Sequence, residues 1–218
     1  MKINKILFKK KQSMKKQILL FLATLLLFSC SKDDATTADN TPKLPPETQT
    51  GANTFGVTIN GKVFIPRDPT GTLTSPSGHG MKYKIDSTLP WSEIYVIDGK
   101  SAVGFQMIIH FKELLPNSIG IYHLKASNFH DGLDSSLIDH IYFKIWDANI
   151  SNYAYYGSIE NQGEIKITRF NGSLTVNWIL SGNFKGKFVR YDNPNDFITI
   201  TDGRFDLNLN TLPNATFP

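Results

Sequence analysis

The sequence predicts an all-β fold, an antiparallel β-sandwich of roughly ten strands, with a closed β-barrel as the alternative. Short β-branched and aromatic runs alternate with turn signals from residue 54 to residue 218, and no segment of any length has helical apolar spacing. These residues are enough for one domain. One run alternates as a half-buried strand does: Phe105, Met107, Ile109 and Phe111, with Gln106, Ile108 and His110 between them.

Asn-Gly and Asp-Gly pairs locate the predicted hairpins. Asn60–Gly61 joins 55–59 to 62–65, with Val57 opposite Phe64, and Asp98–Gly99 joins 91–97 to 102–111. Two further predicted hairpins place their apolar residues on one face. At Asn171–Gly172, Arg169 faces Leu174, Ile167 faces Val176 and Ile165 faces Trp178. At Asp202–Gly203, Ile200 faces Phe205 and Ile198 faces Leu207.

The remaining predicted strands are 81–85, 120–124, 141–146 and 153–156. The intervening loops 68–80 and 127–139 are long for hairpins. Long loops on a rigid sheet often carry binding residues, so we expect a functional rim there.

An export signal precedes the domain. Lys15 and Lys16 lead into the apolar run 18–28, which is shorter than the ~20 residues that span a bilayer. Ser29 and the single cysteine, Cys30, follow. This layout predicts a lipoprotein signal peptide over 1–29, with Met14 as an alternative start, and a palmitoylated Cys30; the alternative is an ordinary cleaved signal or an uncleaved anchor.

Residues 30–53 are predicted to form the lipidated cysteine and a disordered tether, because they contain almost no large apolar residue. The segment Cys30–Ser31–Lys32–Asp33–Asp34 resembles the surface-export signal of Bacteroidota lipoproteins. Lys32, Asp33 and Asp34 therefore imply an outer-membrane protein facing outward, with the periplasmic face as the alternative.

Charge and cysteine content exclude several functions. The chain carries +4, but seven lysines and no acids precede Cys30, which leaves −3 after cleavage. A basic face for nucleic acid is thus not predicted. With Cys30 lipidated, disulfides, zinc–thiolate sites and cysteine nucleophiles are excluded.

Four segments of the domain carry a family resemblance. They are Thr54–Pro66, with its N-G-K hairpin, then Gly163–Phe170, Ser181–Phe184, and Ile200–Asp206, which fits the closing pattern I-T-x-G-x-F-D. In these segments the domain resembles an uncharacterised flavobacterial-type lipoprotein family. The resemblance implies a signal, a lipid anchor and one β domain without an assigned activity.

No catalytic motif was found, and no cofactor is predicted. His130–Asp131 and Asp139–His140 flank one loop and could meet as a metal or acid–base site, whereas His110 and His123 are expected to face solvent. Other candidates are a calcium loop (Asp192, Asn195, Asp196), ligand-stacking aromatics (Trp146, Tyr153, Tyr155, Tyr156) and an O-glycosylation acceptor (Ser87).

Function is predicted at the level of a class. We expect a non-catalytic envelope lipoprotein that is anchored to the lipid bilayer and binds a glycan, a peptide or an outer-membrane protein. The alternatives are a hydrolase of extracellular glycan, which needs two carboxylates about 5–10 Å apart, and an assembly subunit of an outer-membrane complex.

Overall fold

The computed structural model describes residues 42–71, 78–101, 104–173 and 176–218. Ten antiparallel strands confirm the all-β prediction. Their bounds are β1 Thr54–Ile59, β2 Lys62–Phe64, β3 Met81–Ile85, β4 Ser92–Asp98, β5 Phe105–Phe111, β6 Gly120–His123, β7 His140–Asp147, β8 Asn152–Ser173, β9 Val176–Arg190 and β10 Asn193–Asn208. Short 3-10 helices occupy Gly132–Asp134 and Leu212–Asn214.

The strands form one sheet, in the order β2-β1-β10-β9-β8-β7-β5-β4-β3, and β6 pairs with β8 beside this path. The sheet curls strongly into a half-barrel, between the sandwich and the barrel that the sequence left open. Curling lets one sheet enclose its own apolar core, whose largest fully buried side chains include Phe55, Phe105, Phe111, Phe143, Phe170, Phe184 and Phe188.

The curl also brings strands that are far apart in the sheet into contact. The ring of Phe64 on β2 stacks on that of Phe105 on β5, with the centroids 4.5 Å apart. The β1–β2 hairpin therefore lies beside the ends of the central strands, and this contact positions the site described below.

The Asn60–Gly61 hairpin has the predicted register, with Val57 opposite Phe64. Asn60 and Gly61 both have positive φ, 49° and 74°. Two central residues with positive φ are typical of the type I′ turn that matches strand twist.

The predicted hairpin at Asn171–Gly172 is wrong. Strand β8 continues through these residues to Ser173, and a register shift occurs there instead of a turn. The pairs are Arg169 with Ser181, Ile167 with Gly182 and Ile165 with Phe184. Ile165 and Ile167 are buried as predicted and Trp178 packs against the core, but Val176 is 65% exposed. Gly172, at φ 100°, accommodates a bulge, a role that sequence does not distinguish from a turn.

The predicted hairpin at Asp202–Gly203 is also wrong. Both residues lie within β10, at a register shift between Ile200 and Gly203 in its pairing with β9. A Cβ on Gly203 would lie 2.4 Å from the ring of Phe184, so glycine is required for close approach of the neighbouring strand. The apolar face was predicted correctly, because Ile198, Ile200, Phe205 and Leu207 are all buried.

Residues 42–53, which we name the strap, pack on the domain although the sequence assigns them to the disordered tether. The buried carboxylate of Asp206 accepts hydrogen bonds from the backbone N–H groups of Thr50, Gly51 and Ala52, at 3.0, 2.9 and 3.2 Å. It also accepts from the hydroxyls of Thr48, at 2.6 Å, and Ser181, at 2.7 Å. A polar segment is thus ordered by one buried acid, a long-range contact that composition does not reveal.

Within the described ranges, no helix is both long and apolar enough to cross a bilayer.

Candidate functional site

A groove of about 310 Å³ lies where the β1–β2 hairpin meets the end of β7 and the β4–β5 loop. We name it the rim groove. Its lining combines apolar and polar side chains: Ile59, Asn60, Lys62, Phe64, Ser101, Gly104, Ile145 and Trp146. An apolar surface with a few polar groups is the usual composition of a small-ligand site.

Trp146 forms an aromatic wall of the rim groove and is 38% exposed. It is paired across β7 and β8 with Tyr153, and the two rings meet edge to face at 5.6 Å. The Tyr153 hydroxyl approaches Gly104 on the opposite loop, where a Cβ would lie 3.0 Å from that oxygen. The neighbouring ring therefore holds the exposed indole, and an ordered flat apolar surface faces solvent.

Two lysine ammonium groups lie over aromatic rings of this region. Lys62 Nζ is 5.1 Å from the ring centroid of Phe64, and Lys144 Nζ is 4.8 Å from that of Tyr153. Such cation–π contacts position a cation without neutralising it.

The four predicted ligand-stacking aromatics have different environments. Trp146 lines the rim groove, Tyr153 packs against Trp146 without lining the groove, and Tyr155 is exposed and does not line it. Tyr156 as a contact residue is wrong: it is 5% exposed, and its hydroxyl donates to Asp196 at 3.0 Å. Burial, with the Asp196 hydrogen bond and charge in support, raises the pKa of Tyr156 to about 12. Tyr156 points inward because successive residues of a strand alternate between the two faces.

The calcium candidates surround an arginine. The Arg190 guanidinium contacts Asp192 at 2.6 Å, Asp147 at 2.9 Å and Asp196 at 3.4 Å. Asp192 and Asp196 therefore neutralise a fixed cation, while the backbone N–H of Asn195 donates to the side chain of Asn193. No group of three metal-ligating side chains is present in the described part of the chain. The calcium prediction did not consider Arg190, whose guanidinium occupies the position between these carboxylates.

A second polar cluster is fully buried on the other side of the central strands. His110 Nδ1 lies 3.0 Å from Glu93 Oε1, across the β4–β5 pair. The His110 ring stacks between Trp91, at 5.9 Å, and His140, at 4.8 Å. His140 Nε2 lies 3.3 Å from the Ser135 hydroxyl, and Glu93, His110 and His140 are each 0% exposed.

The loop 127–139 covers this cluster. The backbone N–H of Gly132 donates to Glu93 Oε1 at 2.8 Å, and His140 Nδ1 lies 3.2 Å from the carbonyl oxygen of Ile138. The prediction that His110 faces solvent is therefore wrong, whereas His123 is exposed as expected. Alternation of apolar and polar residues predicts orientation correctly only where one face of the sheet is exposed to solvent. Here the loop 127–139 covers the second face of β5, so both faces of this strand are buried.

Burial dominates the protonation of the cluster. It lowers the pKa of His140 to about 4, with the charge of the stacked His110 acting in the same direction. Burial alone would raise the pKa of Glu93, but hydrogen bonds from His110 and Gly132 and the nearby Lys84 ammonium lower it. His140 is therefore neutral and Glu93 ionised at neutral pH.

The two ends of the loop, His130–Asp131 and Asp139–His140, were predicted to meet. Both lie against this cluster, but they do not form an open site. Asp131 contacts Lys84 at 3.4 Å, Asp139 accepts from the backbone N–H of Lys112 at 3.0 Å, and the His130 backbone bonds to His140. Glu93, His110 and His140 are all closed off from solvent. In this closed arrangement the cluster can tie the loop to the sheet, but it has no access to a substrate.

The remaining predicted site residues are at the chain surface or outside the described residues. Ser87 is exposed in the β3–β4 turn, where Asp86 accepts hydrogen bonds from the backbone N–H groups of Thr88 and Leu89. O-glycosylation there stays a prediction. The lipidation and export residues, Cys30, Lys32, Asp33 and Asp34, lie outside the described residues.

Sequence reasoning missed Lys62, Phe64 and Ser101 at the rim groove, and Glu93 with Trp91 in the buried cluster. A two-residue turn at Asp98–Gly99 would place Glu93 opposite Gly104, but this predicted turn is wrong. Asp98 pairs with Phe105, and this register places Glu93 opposite His110. The available signal was the polar pair itself, since Glu93 and His110 are a charged and a titratable residue in two mostly apolar strands.

Comparison of the chain with protein-family models, curated proteins and solved structures yields no significant match.

Proposed function

We propose that this chain is a lipid-anchored protein of the outer membrane, displayed outward, whose β domain binds carbohydrate at the rim groove. The anchor and the outward orientation rest on the signal segment, Cys30 and the Lys32–Asp33–Asp34 tether. Carbohydrate binding rests on one observation, the exposed Trp146 held by Tyr153 at the wall of a groove. Sugar rings present flat apolar faces that stack on aromatic rings, while Asn60 and Ser101 offer hydrogen bonds to hydroxyl groups.

Replacing Trp146 with alanine tests the carbohydrate proposal. We expect W146A to weaken binding of a soluble polysaccharide by about 2 kcal/mol, or ~30-fold, because one aromatic anchor usually carries most of such a contact. The measurement is affinity electrophoresis of the mature protein in gels that contain a panel of neutral and acidic polysaccharides.

The control for this experiment is F197A. Phe197 is 43% exposed on β10 and does not line the rim groove, so its removal deletes a similar aromatic surface elsewhere. Retardation of W146A equal to that of the wild type would refute the proposed site. An equal loss of polysaccharide binding in F197A would also refute the proposed site.

Protease shaving of intact cells tests the orientation. We expect the wild-type domain to be removed from the cell surface, and the triple variant Lys32→Ala/Asp33→Ala/Asp34→Ala to be protected, because the tether would no longer be exported. Immunoblotting of the domain after proteolysis gives the readout, with a periplasmic protein as the control for cell integrity. Protection of the wild type would place the domain in the periplasm instead.

A further inference from the structure

We infer that the carbohydrate bound at the rim groove is anionic, carrying carboxylate or sulfate groups. This inference rests on the proposed function and names its ligand class. It starts from two cations: Lys62 on the β1–β2 hairpin, which lines the groove, and Lys144 on β7, which lies over the Tyr153 ring beside Trp146.

Neither ammonium group is neutralised by an acid. In the described part of the chain, Lys84, Lys125 and Lys185 form ion pairs, whereas Lys62 and Lys144 contact aromatic rings and have no acidic partner within 4.0 Å. Lys62 lies in the groove lining, and Lys144 lies over Tyr153, the ring that packs on Trp146. These two unneutralised cations leave a positive potential at and beside the place where a ligand would bind.

The acids close to the groove in sequence do not compensate this charge. Asp147 follows Trp146 directly but pairs with Arg190 at 2.9 Å, and Asp98, before the β4–β5 loop, pairs with Arg67 at 2.6 Å. None of the described residues that line the groove is Asp or Glu. The site is therefore locally positive on a domain whose acids near it are already paired.

The arrangement separates two tasks. Trp146 presents an apolar face to the sugar ring, and the ammonium groups of Lys62 and Lys144 lie beside aromatic rings next to it, where they can meet acidic substituents. An aromatic anchor recognises neutral and acidic sugars alike, whereas the lysines discriminate between them. Discrimination by charges at the rim should weaken as salt is added.

The test compares three polymers: polygalacturonate for carboxylates, dextran sulfate for sulfates, and unmodified dextran as the neutral reference. For the mature full-length protein we expect at least one acidic polymer to bind more tightly than dextran at low salt. The double variant Lys62→Gln/Lys144→Gln should weaken that binding about tenfold, the size expected for losing two partly exposed charge pairs, and should weaken dextran binding by a smaller factor. The preferred polymer identifies the acidic group.

K187Q is the matched control. Lys187 also lies over an aromatic ring, 3.8 Å from the centroid of Phe197, and does not line the rim groove. Its variant should bind like the wild type. An acidic polymer that binds the double variant as tightly as the wild type, or that binds no better than dextran, would overturn the inference.

The two proposals fail in different ways. Loss of dextran binding in W146A, together with no preference for acidic polymers, would keep the carbohydrate site and reject its anionic specificity. Acidic-polymer binding that W146A leaves unchanged is adsorption to the surface, and it would reject both.

Discussion

Replacing Asp206 with alanine is expected to lower the free energy of unfolding by about 3 kcal/mol, because several donors lose one shared, buried acceptor. The carboxylate is 1% exposed and accepts from the strap at Thr48, Thr50, Gly51 and Ala52, and from Ser181 on β9. In a domain of this size such a loss lowers Tm by roughly 10 °C. Thermal unfolding followed by circular dichroism measures it.

Asp202→Ala is the matched control on the same strand. Asp202 is exposed and accepts from the neighbouring Thr201 hydroxyl at 2.8 Å, so its removal should change stability by less than about 0.5 kcal/mol. Limited proteolysis adds a local readout, because the strap should become cleavable in the Asp206 variant. Equal stability of the two variants would show that Asp206 does not hold the strap.

The Asp206 carboxylate also makes the stability of the fold depend on pH. Burial alone would raise the pKa of Asp206, but hydrogen bonds from Ser181, Thr48, Ala52 and Gly51 outweigh it and lower the value below 3.8. A depressed folded pKa contributes stability that is present above the unfolded pKa and is lost as pH falls through the folded one. The Asp206 contribution is therefore complete above the ordinary carboxyl pKa and is lost as pH falls through the lower, folded pKa.

The second large effect is expected in milder acid, from His140. Its folded pKa of about 4 lies below the ordinary 6.5, so between these values the unfolded chain binds a proton that the folded chain does not. Stability from this group is complete above pH 6.5 and falls toward pH 4, with a slope of up to about 1.4 kcal/mol per pH unit. Denaturant unfolding at a series of pH values measures the slope.

Several charged groups surround His140, so the variant must isolate its contribution. They are His110 and Glu93 in the cluster, Lys84 and Asp131 beside Glu93, and Asp139, whose pKa burial raises. Asp139 acts in the opposite direction, because an acid with a raised folded pKa regains stability as pH falls.

His140→Phe keeps an aromatic ring for the stack on His110 but cannot be protonated. We expect it to flatten the loss of stability between pH 6.5 and 4, at a pH-independent cost of about 1–2 kcal/mol for the lost hydrogen bonds. His123→Phe, at an exposed position on β6, should leave the slope as in the wild type. A slope that survives in His140→Phe would assign it to the other groups.

Two aromatic residues of the candidate site could be predicted from the sequence, but the way the site residues come together in space could not. Trp146 and Tyr153 were predicted as ligand-contact aromatics from residue type alone. Their pairing with Lys62, Phe64 and Ser101 depends on the curl that brings β2 to the ends of the central strands. A different long-range contact buries His110, which was predicted to face solvent: the loop 127–139 packs over its partner Glu93.

By itself, the sequence determined the all-β class, the Asn60–Gly61 hairpin and the apolar face of β10, because alternation and type I′ turns are local properties of the chain. Only the tertiary structure decided that Asn171–Gly172 and Asp202–Gly203 are bulges in long strands, that residues 42–53 pack on Asp206, and that Arg190 occupies the predicted calcium loop. Glycine is compatible with both a turn and a bulge, so its presence does not distinguish them. The structure of a polar segment or an acidic loop depends on the residues that contact it in the folded domain. The strap meets Asp206 across more than 150 residues of chain, so the fold has to form before this partner is known.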